Sequence, residues 1–285
     1  MSAPDQLLVV IDPVARRCDG ESVRIAKDVL CGGAAAKVCL PATPQEFARA
    51  LARRGGRRPV VVGDDRALVH AVRLLHRDGE LDGEPLALVP VGPDDTVRLA
   101  AALGAPLGAV TAARAVLDGV ERRLDLLVDE HGGVVVGGLR IPDGTAAAVP
   151  DAPEDPTHTV WGTARTLVRT LVGPQQAAAP RVPQMRGHRL RVEADGRVVC
   201  DVEDPVEGVA VTAEDGVAVV EVHPRAGAPV RHTARAVRVS AAPGADFRYH
   251  ADGQVRGPLE TRTWTLHAAS WSLLVPSPAL APEAP

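Results

Sequence analysis

Aromatic rings are scarce in this sequence. Its 285 residues hold six: Phe47, Trp161, Phe247, Tyr249, Trp264 and Trp271. Five of them follow residue 160, so the first half must pack Ala, Val and Leu almost alone. Lysine is nearly missing too, with only Lys27 and Lys37. No block of one charge occurs: 32 basic and 36 acidic residues are interspersed, for a net charge of −4, and basic runs stop at pairs such as Arg53-Arg54 and Arg57-Arg58. That excludes the clustered basic footprint of a nucleic-acid binder. No apolar run approaches the roughly 18 residues of a membrane span, so membrane contact is expected to be peripheral at most. The first residues lack the charged start and long apolar stretch of a signal peptide. Cys18, Cys31, Cys39 and Cys200 form no C-x-x-C pair and read as single thiols in a reducing, cytoplasmic compartment. A Gly-x-Ser-x-Gly nucleophile elbow is absent. Gly20-Glu21-Ser22 begins one, but Arg24 stands where its last glycine belongs, and Ser22 reads as a helix cap. The histidines are scattered; His70 and His76 are six residues apart and share no helical face.

What is present is a change of texture along the chain. Leu7 to Ile11 is a short unbroken apolar run, as expected of a strand buried on both faces. Further strands are expected at Ala36–Leu40, Pro59–Val62 and Leu86–Val91, with helices at 21–30, Thr43–Arg53, Arg66–His76, Val97–Leu103 and Val110–Leu117. Thr43 with Glu46 three residues later has capping-box spacing. Strands alternating with helices predict a parallel sheet covered on both faces. From residue 124 the pattern shifts to short alternating runs with turns at His131-Gly132-Gly133, Ala194-Asp195-Gly196, Glu214-Asp215-Gly216 and Asp252-Gly253. These predict a β-rich, sandwich-like second domain. The expected organisation is an α/β domain over 1–128 and a β-rich domain over 129–276. The latter would include a loop at 142–158 and a helix at 160–172, with a disordered tail at 277–285.

The order of landmarks resembles the diacylglycerol-kinase catalytic family, which includes bacterial lipid kinases and is related to NAD kinases. Ile11-Asp12-Pro13 stands where that family has Asn-Pro, and Gly63-Asp64-Asp65-Arg66-Ala67 where it has Gly-Gly-Asp-Gly-Thr. Val89-Pro90-Val91-Gly92 and Leu103-Gly104-Ala105-Pro106 are similar to its Leu-Pro-x-Gly-Thr-x-Asn and Leu-Gly-x-Pro segments. Arg123-Leu124-Asp125-Leu126 resembles its Arg-x-Asp-Leu, and Asp252-Gly253-Gln254 its Asp-Gly-Glu. The resemblance implies a two-domain lipid kinase using ATP and Mg²⁺, with lipid and nucleotide meeting in an interdomain cleft. It implies nucleotide contacts at Gly63, Asp64, Asp65, Arg66, Ala67, Gly92 and Asp95. Asp65 is retained from the family loop as a catalytic residue and candidate metal ligand, and Gln254 replaces the family base.

The departures bear on chemistry. Phosphoryl transfer relies on backbone N–H groups cradling phosphate, a metal ion and a base near the acceptor hydroxyl. Glycines permit such a cradle because phosphate can approach the bare backbone and positive φ is free to them. Here Asp64 and Arg66 replace two of those glycines, and Ala67 lacks the threonine hydroxyl. Asp64 could join Asp65 on Mg²⁺ or cap the following helix. Pro93 removes a donor after Gly92, and a helix cap at Asp95 or Thr96 accounts for that loop without a ligand. Gln254 is neutral and takes no proton. These losses together predict an impaired enzyme acting as a binding or regulatory module. The alternatives are an active kinase using Asp64, Asp65 and Asp95 in a rearranged site, or a scaffold with an empty cleft.

Overall fold

The computed structural model describes residues 6–142 and 187–277. The helix expected at 160–172, most of the 142–158 loop and nearly all of the expected tail lie outside them.

The first part runs β1 (Gln6–Ile11), α1 (Pro13–Cys18), α2 (Gly20–Gly33), β2 (Ala35–Cys39), α3 (Pro44–Ala52), β3 (Arg58–Gly63), α4 (Asp65–Arg77), β4 (Ala87–Pro90), a 3₁₀ turn (Asp94–Thr96), α5 (Arg98–Ala102) and α6 (Ala109–Asp118). The four strands form a parallel sheet in the order β2-β1-β3-β4. Alternation along β1 sorts its side chains to two faces. Leu8 and Val10 pack with Phe47 and Leu51 of α3 and with the apolar stripe of α4. Leu7, Val9 and Ile11 pack with Val23, Ala26 and Leu30 of α2 and with Ala112, Ala113 and Val116 of α6. Aliphatic residues suffice because small alanines let the helices approach the sheet closely.

The second part is antiparallel. It comprises β5 (Val120–Asp129), β6 (Val134–Val135), β7 (Leu139–Ile141), β8 (Leu190–Ala194), β9 (Arg197–Cys200), β10 (Val206–Glu214), β11 (Val217–Pro224), β12 (Val230–Ala234), β13 (Ala236–Ala241), β14 (Phe247–Ala251), β15 (Gln254–Leu259) and β16 (Thr261–Val275). Two six-stranded sheets result, ordered β12-β11-β10-β7-β14-β15 and β6-β5-β16-β13-β8-β9. Their inner faces enclose a core that includes Val192, Val211, Val220, Val239, Tyr249 and Trp264. Tyr249 and Trp264 meet edge to face at 5.2 Å, the favoured geometry for an aromatic pair.

The two parts form one compact unit. Leu86, just before β4, bridges in parallel to Leu273 of β16. Its amide donates to Ser272 O at 2.9 Å, and Leu274 N donates to Leu86 O at 2.9 Å. Trp271 and Leu273 of β16 are buried in the same cluster as α3 and α4.

Several elements differ from the expected ones. Helix α1 has no apolar period but starts on a strong signal: Asp12 Oδ1 accepts from Val14 N at 2.7 Å, and Pro13 supplies a preset first-turn φ. Ser22 is not the cap of α2. Asp19 is, and it accepts from the Ser22 amide at 2.9 Å. Strands β12 and β13 part at Arg235, where Asp195 Oδ1 accepts from the amides of Arg235 and Ala236 and turns the chain. Trp264 and Trp271 lie on the one long strand β16, which carries a bulge between His267 and Trp271. At that bulge Ala269 has φ 45°. The Asp125 carboxylate accepts from Ala269 N and from Gly216 N, each at 2.7 Å.

Candidate functional site

Strands β1, β3 and β4 end side by side at the carboxyl edge of the parallel sheet. In open α/β sheets that edge is where ligands bind. Asp12 follows β1, Gly63-Asp64-Asp65 closes β3 and opens α4, and Val91-Gly92 follows β4. Three backbone bonds align them: Asp12 N to Val62 O at 2.9 Å, Val91 N to Gly63 O at 3.0 Å, and Leu68 N to Asp64 O at 3.1 Å.

The carboxylates here are turned onto amides. Asp64 is the N-cap of α4, extended at φ −86° and ψ −175°, and its Oδ1 accepts from Ala67 N at 3.0 Å. The capping reading of Asp64 is therefore the geometry seen. Asp65 reaches across to the start of α5, where its two oxygens accept from Leu99 N at 2.8 Å and Ala100 N at 2.9 Å. The cap expected from Asp95 or Thr96 is not made: no side chain within its own segment caps α5. Thr96 Oγ1 instead donates to Pro93 O at 2.8 Å, and Asp95 is exposed. Burial raises the Asp65 carboxyl above the usual carboxylate range, against the amide bonds from Leu99 and Ala100 that lower it.

The two glycines are closely surrounded. A Cβ on Gly63 would lie 2.7 Å from Ala67 Cβ and 3.0 Å from Asp12 Cβ, and one on Gly92 would lie 2.6 Å from Thr96 Oγ1. Neither adopts positive φ. Ala67 is buried within the α4 face, whereas the Arg66 side chain is exposed.

Facing this edge is the β14–β15 hairpin. Its turn residue Asp252 has φ 49°, a conformation that Asp tolerates better than most residues. Its carboxylate accepts from Val136 N at 3.0 Å and Gly137 N at 2.8 Å. Burial raises its carboxyl as well, opposed chiefly by those two amides and then by the Arg256 and Arg73 charges. Arg73 belongs to α4, so hairpin and helix sense one another electrostatically. Gly137 also lies against the α5 side chain Leu99, whose Cδ1 would be 2.6 Å from a Cβ at that position. A continuous path thus runs from Asp65 through the Leu99 amide and side chain to Gly137 and Asp252. Gln254, the first residue of β15, is exposed beside the turn.

The structure brings Gly63, Asp64, Asp65, Ala67 and Gly92 together at the sheet edge. Sequence spacing pointed to them but not to Asp12 as a capping group, nor to Asp252 as a half-buried acceptor. Asp12-Pro13 is a readable cap signal. Asp252-Gly253 reads only as a turn.

A parallel α/β half whose carboxyl edge faces a hairpin from an antiparallel half defines the class: the chain has the fold of bacterial diacylglycerol kinases. The particular structures it resembles come from Bacillus anthracis str. Sterne. One, of a diacylglycerol kinase, has a TM-score of 0.67 at 12% identity and covers 99% of this chain and 100% of its own. Two more are of a provisionally assigned diacylglycerol kinase, both with a TM-score of 0.68. They are 12% and 13% identical to this chain, covering 99% of it and 100% and 98% of their own chains. No family model matches the sequence, and no curated protein does. At such identities the likeness is one of fold. Among the described residues no helix is long and apolar enough to cross a membrane.

Proposed function

We propose that this chain is a lipid-kinase-type protein impaired in phosphoryl transfer, acting as a binding or regulatory module through the cleft between its α/β and β-rich halves. One observation carries the reading. Asp12, Asp64, Asp65 and Asp252 all direct their carboxylates at backbone amides of the cleft. Amides at helix starts are natural anion sites, and here the chain's own anions hold several of them. An incoming triphosphate would compete with tethered carboxylates and meet their like charge. At about 4 Å and an effective dielectric near 20, one such pair repels by about 4 kcal/mol.

The same donor set is a poor fit for a magnesium ion held by Asp65. Each of its oxygens already accepts an amide bond at 2.9 Å or less, which leaves one lone pair on each for a metal. Asp64 is likewise committed to Ala67. Asp95 is exposed on a short 3₁₀ turn. Gln254 has no basic form to take a proton from a lipid hydroxyl, though it can still hydrogen-bond one. Removing a positioned base costs about 100- to 10,000-fold in rate. On this reading a lipid or nucleotide would be held there without reaction.

The test pairs binding with turnover. ATP with Mg²⁺ is expected to leave the melting temperature unchanged at concentrations where a true ligand, at 100 times its Kd, would add about 2.7 kcal/mol. Transfer of labelled phosphate to diacylglycerol in mixed micelles is expected to stay at the no-protein blank. Incorporation above the blank that disappears in Asp65→Asn would overturn the proposal in favour of an active, rearranged kinase.

A further inference from the structure

We propose that a second site, outside the cleft, binds a phosphate monoester in the concavity between β2 and α3. The concavity has a volume of about 360 Å³, near the lower end of the roughly 300–1,000 Å³ of small-molecule sites. None of its lining residues belongs to the cleft described above.

The local charge sets it apart. Lys37 on β2, Arg49 on α3 and Arg53 at the α3 C-cap all line it. Arg49 and Arg53 are four residues apart and fall on one stripe of the helix. Among the described residues no carboxylate pairs with any of the three. Some exposed arginines elsewhere are paired, such as Arg24 with Glu21 and Arg231 with Glu214, and others such as Arg66, Arg98 and Arg114 stand singly; what marks this concavity is that three cations line one depression. A net-negative chain with mixed charges has left these three cations together. The one acidic lining residue, Glu46, is engaged. Its Oε2 accepts from Ala42 N at 2.7 Å, one residue before the N-cap, and Thr43 Oγ1 accepts from Glu46 N at 3.2 Å, a close variant of the capping box. A fourth cation stands at the rim, where Arg16 Nη2 donates to the lining residue Pro41 at 3.5 Å.

The chemistry that answers this arrangement is a compact, doubly charged anion. A phosphate monoester offers three terminal oxygens, and guanidinium groups bind phosphate in forked pairs. The remaining wall is apolar: Ala50 lies at the side and Leu40 is 55% exposed, giving the ester substituent a surface to lie on. A free phosphorylated metabolite and the headgroup of a phosphorylated lipid present the same group. Cys39 also lines the concavity and provides a built-in reporter.

The test uses the full chain carrying Cys18→Ser and Cys31→Ser. These remove the exposed thiols and leave Cys39 and the buried Cys200. Alkylation of Cys39 by iodoacetate and by neutral iodoacetamide is followed by mass spectrometry, with and without glycerol phosphate. Glycerol phosphate is expected to slow labelling of Cys39. Substituting Lys37→Gln, Arg49→Gln and Arg53→Gln together is expected to weaken that protection by about tenfold or more, because charge-assisted contacts are lost. It should also remove the preference for the anionic reagent. All three side chains are exposed, and an unchanged circular dichroism spectrum verifies folding. A second arm measures co-sedimentation with phosphatidylcholine vesicles, with or without phosphatidic acid. Protection without vesicle binding assigns the site to a soluble phosphate monoester. Phosphatidic-acid-dependent sedimentation that the triple variant loses assigns it to a lipid headgroup. Equal protection in the triple variant overturns the proposal, as does an absence of both protection and vesicle binding.

Discussion

Replacing Asp65 by Ala isolates the carboxylate on which the reading of the cleft turns. The substitution removes both acceptors at the start of α5, made at 2.8 and 2.9 Å to Leu99 N and Ala100 N. Loss of an N-cap typically costs about 0.5–2 kcal/mol. Amides left dry cost about 1–3 kcal/mol each, although a half-buried site lets water reach part of them. One term runs the other way. Burial holds the Asp65 carboxyl above its usual range, so removing the charge relieves an unfavourable desolvation. The net expectation is a loss of about 1–3 kcal/mol. With a urea slope near ~3 kcal/mol per M, the upper end of the usual range for a chain this long, the midpoint falls by about 0.3–1 M. Asp65→Asn keeps one acceptor oxygen and should lose less. Unfolding can be followed by tryptophan fluorescence, since Trp264 and Trp271 are both fully buried. Hydrogen exchange at Leu99 and Ala100 gives the local readout, with faster exchange expected there before elsewhere. An unchanged midpoint together with wild-type protection of those two amides would refute the capping role, and with it the argument that the cradle is self-occupied.

Three further outcomes are expected. Gly63→Ala places a methyl group 2.7 Å from Ala67 Cβ and 3.0 Å from Asp12 Cβ; overpacking of this kind costs about 1–3 kcal/mol, read as a lower urea midpoint with an unchanged slope. Asp252→Ala removes the acceptor of the Val136 and Gly137 amides; stability should fall by about 1–3 kcal/mol, offset in part by relief of the buried charge, and exchange at those amides should accelerate. His76 is held below the ordinary imidazole value by burial and then by the His267 imidazole, and burial lowers His70 too. The unfolded chain therefore takes up protons first on acidification, so stability is full above about pH 6.5 and declines as pH falls through the lowered values. His76→Phe should flatten that decline in urea midpoints measured above and below this range; an identical slope in the variant would count against it.

Much of the fold was legible because burial on both faces leaves a plain signature. Leu7 to Ile11 and Pro59 to Val62 read as strands since their neighbours on either side are helices packed onto the sheet. Helix α1 was illegible by periodicity: of its six residues only Ala15 is buried. The course of β16 was illegible for a different reason. Its bulge is held by Asp125, on another strand, and the partner Ala269 is 144 residues distant. The candidate site divides the same way. The positions Gly63 to Ala67 and Gly92 were readable from the order of landmarks. What their carboxylates do was not, because the Asp65 partners lie 34 and 35 residues away and those of Asp252 lie 116 and 115 residues away. Local patterns specify caps within a turn or two, whereas a cap lent by another segment depends on the finished packing.

The seam between Leu86 and Leu273 sets an order on assembly. Leu273 meets Leu86 from almost 190 residues later in the chain, and contacts this distant in sequence slow folding. Until β16 is made, both backbone bonds to Leu86 are unmade, so the joining of the parallel sheet to the antiparallel half waits on the last strand.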